Sequence, residues 1–135
     1  KVRVIGSSTQ LCTEHNGWET WANFPLEQKR MFETIKETKA NGVVFISGDV
    51  HYAELSKQQP EGMYPIYDMT ASGITQVENH LAQNKYRVGE GLIGRNFGML
   101  EIDWNPTDPI LYLKGFNVFG KEKIKGEVKL STLQF

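Results

Sequence analysis

Val43-Val44-Phe45-Ile46-Ser47-Gly48-Asp49-Val50-His51-Tyr52-Ala53-Glu54 is the stretch on which the fold turns. Its opening apolar run, rich in β-branched residues, predicts a strand buried on both faces. The run breaks at Ser47-Gly48 into a polar turn, where glycine lets the chain leave a sheet sharply and approach a ligand closely. If Asp49 to His51 stays extended, side chains two apart point the same way, which brings a carboxylate and an imidazole together. That pair of donors suits a metal ion or a phosphate. Taken alone, the stretch reads first as a structural strand that ends in a solvated turn.

Working outward, the residues before this strand predict a helix. Asn23 is a good N-cap, Pro25 suits the first turn and Glu27 favours the positive end of the helix dipole. Met31, Phe32 and Ile35 share one face, while Gln28, Lys29, Glu33, Lys36 and Glu37 lie off it. Asn41-Gly42 predicts a left-handed helix end, with the buried strand following at once. Upstream, Val2 to Ser7 predicts a first strand that ends in the small polar cluster Gly6 to Gln10. Strand, helix and strand with a short link predict an α/β layer with parallel strands. Leu11 to Asn23 carries no period and predicts a loop anchored by Trp18 and Trp21.

Downstream, Tyr52 to Leu55 continues briefly extended before the exposed loop from Lys57 to Gly62. Tyr64 to Thr70 predicts another strand, which again ends in small polar residues, Ala71-Ser72-Gly73. Two strands that end in Ser-Gly turns would build neighbouring walls of one site. Thr75 to Arg95 has no sustained period and predicts a long loop. Gly89-Glu90-Gly91 neither follows a strand nor opens a helix, which excludes a dinucleotide fingerprint. Met99 to Trp104 and Ile110 to Phe116, joined by the proline-containing Asn105 to Pro109, predict an antiparallel hairpin. Asn117 to Gly126 is polar and lysine-rich, a solvated segment, and a last strand is expected from Val128 to Leu133. His15 and His80 are expected at the solvated surface.

The 135 residues amount to one domain or part of one, with the composition of an ordinary globular protein. A formal charge of -1 provides no global field for nucleic acid or an anionic membrane. Cys12 is the one cysteine, which excludes an internal disulfide and is expected as a buried free thiol. No apolar run reaches the length of a membrane span. The chain opens at Lys1 within an apparent strand, so it is expected to be cut from a longer protein. The lack of a leader peptide then leaves the compartment open.

Four segments carry a family likeness. Trp21 to Glu27 (Trp-Ala-Asn-Phe-Pro-Leu-Glu), Gly42 to Leu55, Tyr67 to Thr75 (Tyr-Asp-Met-Thr-Ala-Ser-Gly-Ile-Thr) and Asn96 to Trp104 (Asn-Phe-Gly-Met-Leu-Glu-Ile-Asp-Trp) occur in family order. Together they resemble the carboxy-terminal part of PhoD-type alkaline phosphatases, within the calcineurin-like metallophosphoesterases. The resemblance implies an α/β fold: residues 1–135 as the carboxy-terminal portion of a two-sheet sandwich with flanking helices, a mixed sheet and a terminal hairpin. It further implies hydrolysis of phosphate mono- or diesters by the parent protein, in which a metal-bound hydroxide or oxide attacks phosphorus. Iron and calcium are the metals that the family suggests, and its members are often secreted or periplasmic.

Gly48-Asp49-Val50-His51 sits where the broader superfamily has Gly-His-any-His. By that likeness Asp49 is assigned as a metal ligand, and His51 as a metal ligand or phosphate-contacting catalytic residue. Asn96 and Ser72 are assigned to substrate binding or to the support of the site. The family's amino-terminal metal motifs do not occur in these residues, and two ligands fall short of the four or more that a metal site needs. The chain is therefore expected to supply one wall of the site and to be inactive alone, its partners being the phosphate ester and the missing amino-terminal part of the same domain. The competing expectation is a non-catalytic binding or interaction module that uses the sheet and the tryptophan loop.

Overall fold

The computed structural model describes residues 1–15 and 17–135. The apolar run forms β2 (Val43–Ser47), with Val43, Val44 and Phe45 buried because neighbours flank it on both sides. β1 (Arg3–Gly6) and β4 (Ile66–Ala71) both run parallel to it, with Ile5 opposite Phe45 and Phe45 opposite Asp68. β3 (Ala53–Gln58) pairs antiparallel with β4, which gives a mixed sheet in the order β1-β2-β4-β3. Parallel neighbours need a crossover, and α1 (Pro25–Glu37) lies in the one between β1 and β2.

β5 (Asn96–Asp103), β6 (Ile110–Asn117) and β7 (Glu122–Lys129) form a second, wholly antiparallel sheet in that order. The chain is thus α/β, with a mixed four-stranded sheet, an antiparallel three-stranded sheet and few helices. Val44, Leu55 and Met69 of the first sheet join Leu111, Leu113, Ile124 and Val128 of the second in one buried cluster, which also takes in Phe32 and Ile35 of α1. Glycine makes the closest approach possible: a Cβ on Gly126 would overlap the side chain of Leu55.

Several local expectations are corrected. The lysine-rich segment holds the start of a strand, because β7 begins at Glu122 and the chain already turns into a short 3-10 helix at Leu130–Thr132. Only Ile124 and Val128 of that strand are buried; Gly126 stands between them on the same face, so the alternation is hidden from a reading of apolar residues. The predicted hairpin is consequently two strands of three. Asn23 does not cap α1: Phe24 intervenes without a side-chain cap, and the amide of Asn23 instead donates to the Trp18 carbonyl. The helix ends at Glu37, with the left-handed residue at Lys39, while Gly42 uses its positive φ at the entry to β2. β3 runs on to Gln58, past the expected break at Leu55.

Candidate functional site

The three parallel strands end on the same side of the sheet, in turns built from Gly6-Ser7-Ser8, Ser47-Gly48-Asp49 and Ala71-Ser72-Gly73. Gly48 is where they meet: a Cβ there would touch Ser72 Cβ at 3.4 Å and the Ser8 carbonyl oxygen at 3.8 Å. In open α/β sheets the carboxyl ends of parallel strands are where ligands bind.

Asp49 to His51 is not extended. Asp49 has φ 73° and His51 φ 60°, both in the left-handed region, and Val50 N–H donates to the Gly48 carbonyl at 3.0 Å. The reason lies in the topology: β2 and β3 run in opposite directions, and the chain must reverse between Ser47 and Ala53. The alternation argument for bringing the two side chains together therefore fails. The turn nevertheless places both on one recess of about 190 Å³, together with Trp18, Glu19, Val50 and Glu78. Asp49 is exposed and His51 half-buried. Left-handed conformations in residues with a Cβ cost about 1–2 kcal/mol each and persist only where the surroundings enforce them.

Ser72 supplies part of that enforcement, since its Oγ accepts the backbone N–H of His51 at 2.9 Å. Asn96 is buried. Its Oδ1 accepts from Gly73 N–H at 3.2 Å and its Nδ2 donates to the Gly94 carbonyl at 2.8 Å, so its amide ties β5 to the turn after β4. His15 and His80 are exposed, the first bonded to Asn23 Oδ1 and the second 3.7 Å from Glu78. Glu19 and Glu78 were not singled out by any sequence signal, because they reach the recess from two loops without periodicity.

Beneath the turns lies a buried polar layer that the sequence did not reveal. Glu54, fully buried, accepts from Gln10 Nε2 at 2.6 Å and Asn84 Nδ2 at 2.8 Å and is ion-paired with Arg87. Asp68, equally buried, accepts the backbone N–H groups of Leu11 and Cys12 and, at 2.7 Å, the hydroxyl of Ser47. Burial raises the Asp68 pKa above its ordinary value, against the opposing effect of the bonds from Ser47, Leu11 and Cys12. Because Ser47 directly precedes Gly48, this layer holds the base of the Asp49 turn. Cys12 is a free buried thiol whose pKa is driven well up by burial and then by Asp68, so it is unsuited to thiolate chemistry.

A carboxylate and an imidazole are appropriate donors for a metal centre, but they are two. Among the described residues no group of three or more His, Cys, Asp or Glu is placed to hold a metal ion. Among the described residues no helix is long and apolar enough to cross a membrane. In comparisons with protein-family models, curated proteins and solved structures, nothing matches the chain.

Proposed function

We propose that this chain forms one wall of a metal-dependent phosphoesterase site, in a protein that hydrolyses phosphate mono- or diesters. The observation that carries the reading is the pair of left-handed residues, Asp49 and His51, held at the carboxyl end of three parallel strands. Left-handed residues with a Cβ collect at functional sites, and their place at the strand ends supports the reading. Asp49 and His51 would hold the metal, with His51 facing the phosphate. Ser72 and Asn96 keep the turns in place. A metal centre at this position supplies charge neutralisation for phosphoryl oxygens and lowers the pKa of bound water. The remaining ligands would come from the rest of the parent domain, whose preference for iron, calcium or another cation follows from its donors.

The test compares the isolated 135-residue chain with the complete parent protein, using p-nitrophenyl phosphate and bis(p-nitrophenyl) phosphate with added metal. The isolated chain is expected to show no hydrolysis above background. Turnover equal to that of the complete protein would overturn the one-wall reading. A second reading, a non-catalytic interaction module, is favoured by an open apolar cleft of about 480 Å³ between the sheets. It predicts that Asp49→Ala leaves every activity of the complete protein intact.

A further inference from the structure

Three neighbouring chain segments expose large apolar side chains at one end of the two sheets. Asn96 N–H donates to the Gly73 carbonyl and Val118 N–H to the Arg95 carbonyl, both at 3.1 Å, so the segments at Gly73, Arg95 and Val118 lie side by side. Ile74 follows the first at 69% exposure, the exposed Ile93 and Phe97 flank the second, and Val118 and Phe119 in the third are 56% and 90% exposed. Single exposed apolar residues are ordinary, whereas a group drawn from adjoining segments marks an interaction surface.

The apex of this surface is the turn between β6 and β7. Asn117 Oδ1 accepts the N–H groups of Phe119 and Lys121 at 3.1 and 3.0 Å, and Gly120, with φ 75°, donates to the Asn117 carbonyl at 2.9 Å. Those bonds fix the backbone while Val118 and Phe119 project from it, so covering them demands little further ordering of the chain.

The flanking charges select the partner. Arg95, Lys121 and Lys123 are exposed beside the apolar residues. Among the described residues none of the three is ion-paired, whereas Lys114 and Lys125, further along the sheet, are taken up by Glu101 and Glu127. Glu122, between Lys121 and Lys123, acts on Lys125. A net charge of -1 gives the chain as a whole no attraction for an anionic surface, so the attraction has to be local. A projecting apolar tip flanked by cations matches a bilayer: the tip enters the acyl boundary and the cations meet anionic headgroups. A protein partner would need a socket shaped to Phe119; a fluid bilayer needs none.

We propose that Val118 and Phe119, flanked by Arg95, Lys121 and Lys123, dock this end of the chain on an anionic lipid bilayer. The proposal goes beyond the phosphoesterase reading and does not rest on it, although both concern the same end of the molecule: Ser72, which holds the His51 backbone, directly precedes Gly73.

The test is cosedimentation of the 135-residue chain with vesicles of phosphatidylcholine and phosphatidylglycerol in equal parts, and with vesicles of phosphatidylcholine alone. The chain is expected to bind the anionic vesicles about tenfold or more tightly than the neutral ones, and to come off them as salt is raised. Phe119→Ser is expected to weaken that binding by about tenfold with the urea midpoint unchanged, because so exposed a side chain supports little of the fold. Arg95→Gln combined with Lys121→Gln is expected to erase the preference for anionic vesicles. Ile46→Lys, which alters the cleft between the sheets and not the tip, is expected to change nothing. No binding to the anionic vesicles, equal binding by Phe119→Ser, or equal binding to both kinds of vesicle would overturn the proposal. Loss of binding in Ile46→Lys would also overturn it, by making the cleft the lipid contact. A dimer that forms without vesicles and that Phe119→Ser dissolves would overturn it in favour of a second copy of the chain. No hydrolysis is assayed, so failure of lipid docking and failure of the phosphoesterase reading are separate results.

Discussion

Asp49 and His51 give up local stability, and single substitutions measure how much. Glycine adopts their backbone angles without the Cβ penalty, at the expense of extra freedom in the unfolded chain. Asp49→Gly is therefore expected to leave stability unchanged or raise it by up to about 1 kcal/mol, read from urea unfolding of the chain. A loss larger than that would show that Asp49 serves the fold. Arg87 is the opposite case, since it neutralises a carboxylate with no exposure to water. Arg87→Ala is expected to destabilise by about 3–5 kcal/mol, because the Glu54 charge is left buried without its partner. Asp68 makes stability depend on pH. Burial raises its native pKa above the ordinary 3.8, so the native state binds this proton more readily than the unfolded chain. Its favourable contribution is complete below that ordinary value and declines as pH rises through the native pKa. Asp68→Asn, which can still accept from Leu11 and Cys12, is expected to flatten the fall in stability above pH 4 in denaturation series at stepped pH. An unchanged slope would assign the dependence to other groups. None of these partnerships was legible in the sequence: Glu54 and Arg87 stand 33 residues apart, and no period or motif links them.

Elements were legible where one pattern dominated. β2 declared itself through consecutive apolar residues, and α1 through Pro25 and the shared face of Phe32 and Ile35, both buried. β7 did not, because glycine occupies an inward position between Ile124 and Val128 and charged residues, three lysines and Glu127, fill the outward ones. The ends of elements followed tertiary demands. Gly42 serves the entry to β2 with φ 70°, and a Cβ there would collide with the Lys1 carbonyl. Gly42→Ala is expected to cost at least about 1–2 kcal/mol from the left-handed backbone alone, read as a lower urea midpoint. An unchanged midpoint would show that the β1–β2 junction yields freely. The geometry of the Asp49 turn was hidden for the same kind of reason: it follows from β3 reversing direction, which appears only once the strands are ordered.

At the scale of the whole molecule, two sheets share a core on one side and leave it open on the other, where Val4 and Ile46 meet water. The carboxyl-end turns and the open cleft have the turn at Gly6-Ser7-Ser8 in common. Composition and charge could exclude a global nucleic-acid field, but the opening between the sheets depends on which strands pair. Metal content and p-nitrophenyl phosphate hydrolysis of the complete parent protein, wild type against Asp49→Ala, decide whether Asp49 holds a metal. The account predicts a loss of metal and a fall in turnover on the order of a hundredfold or more, with the urea midpoint kept. Unaltered metal content and turnover in the Asp49→Ala protein would contradict it.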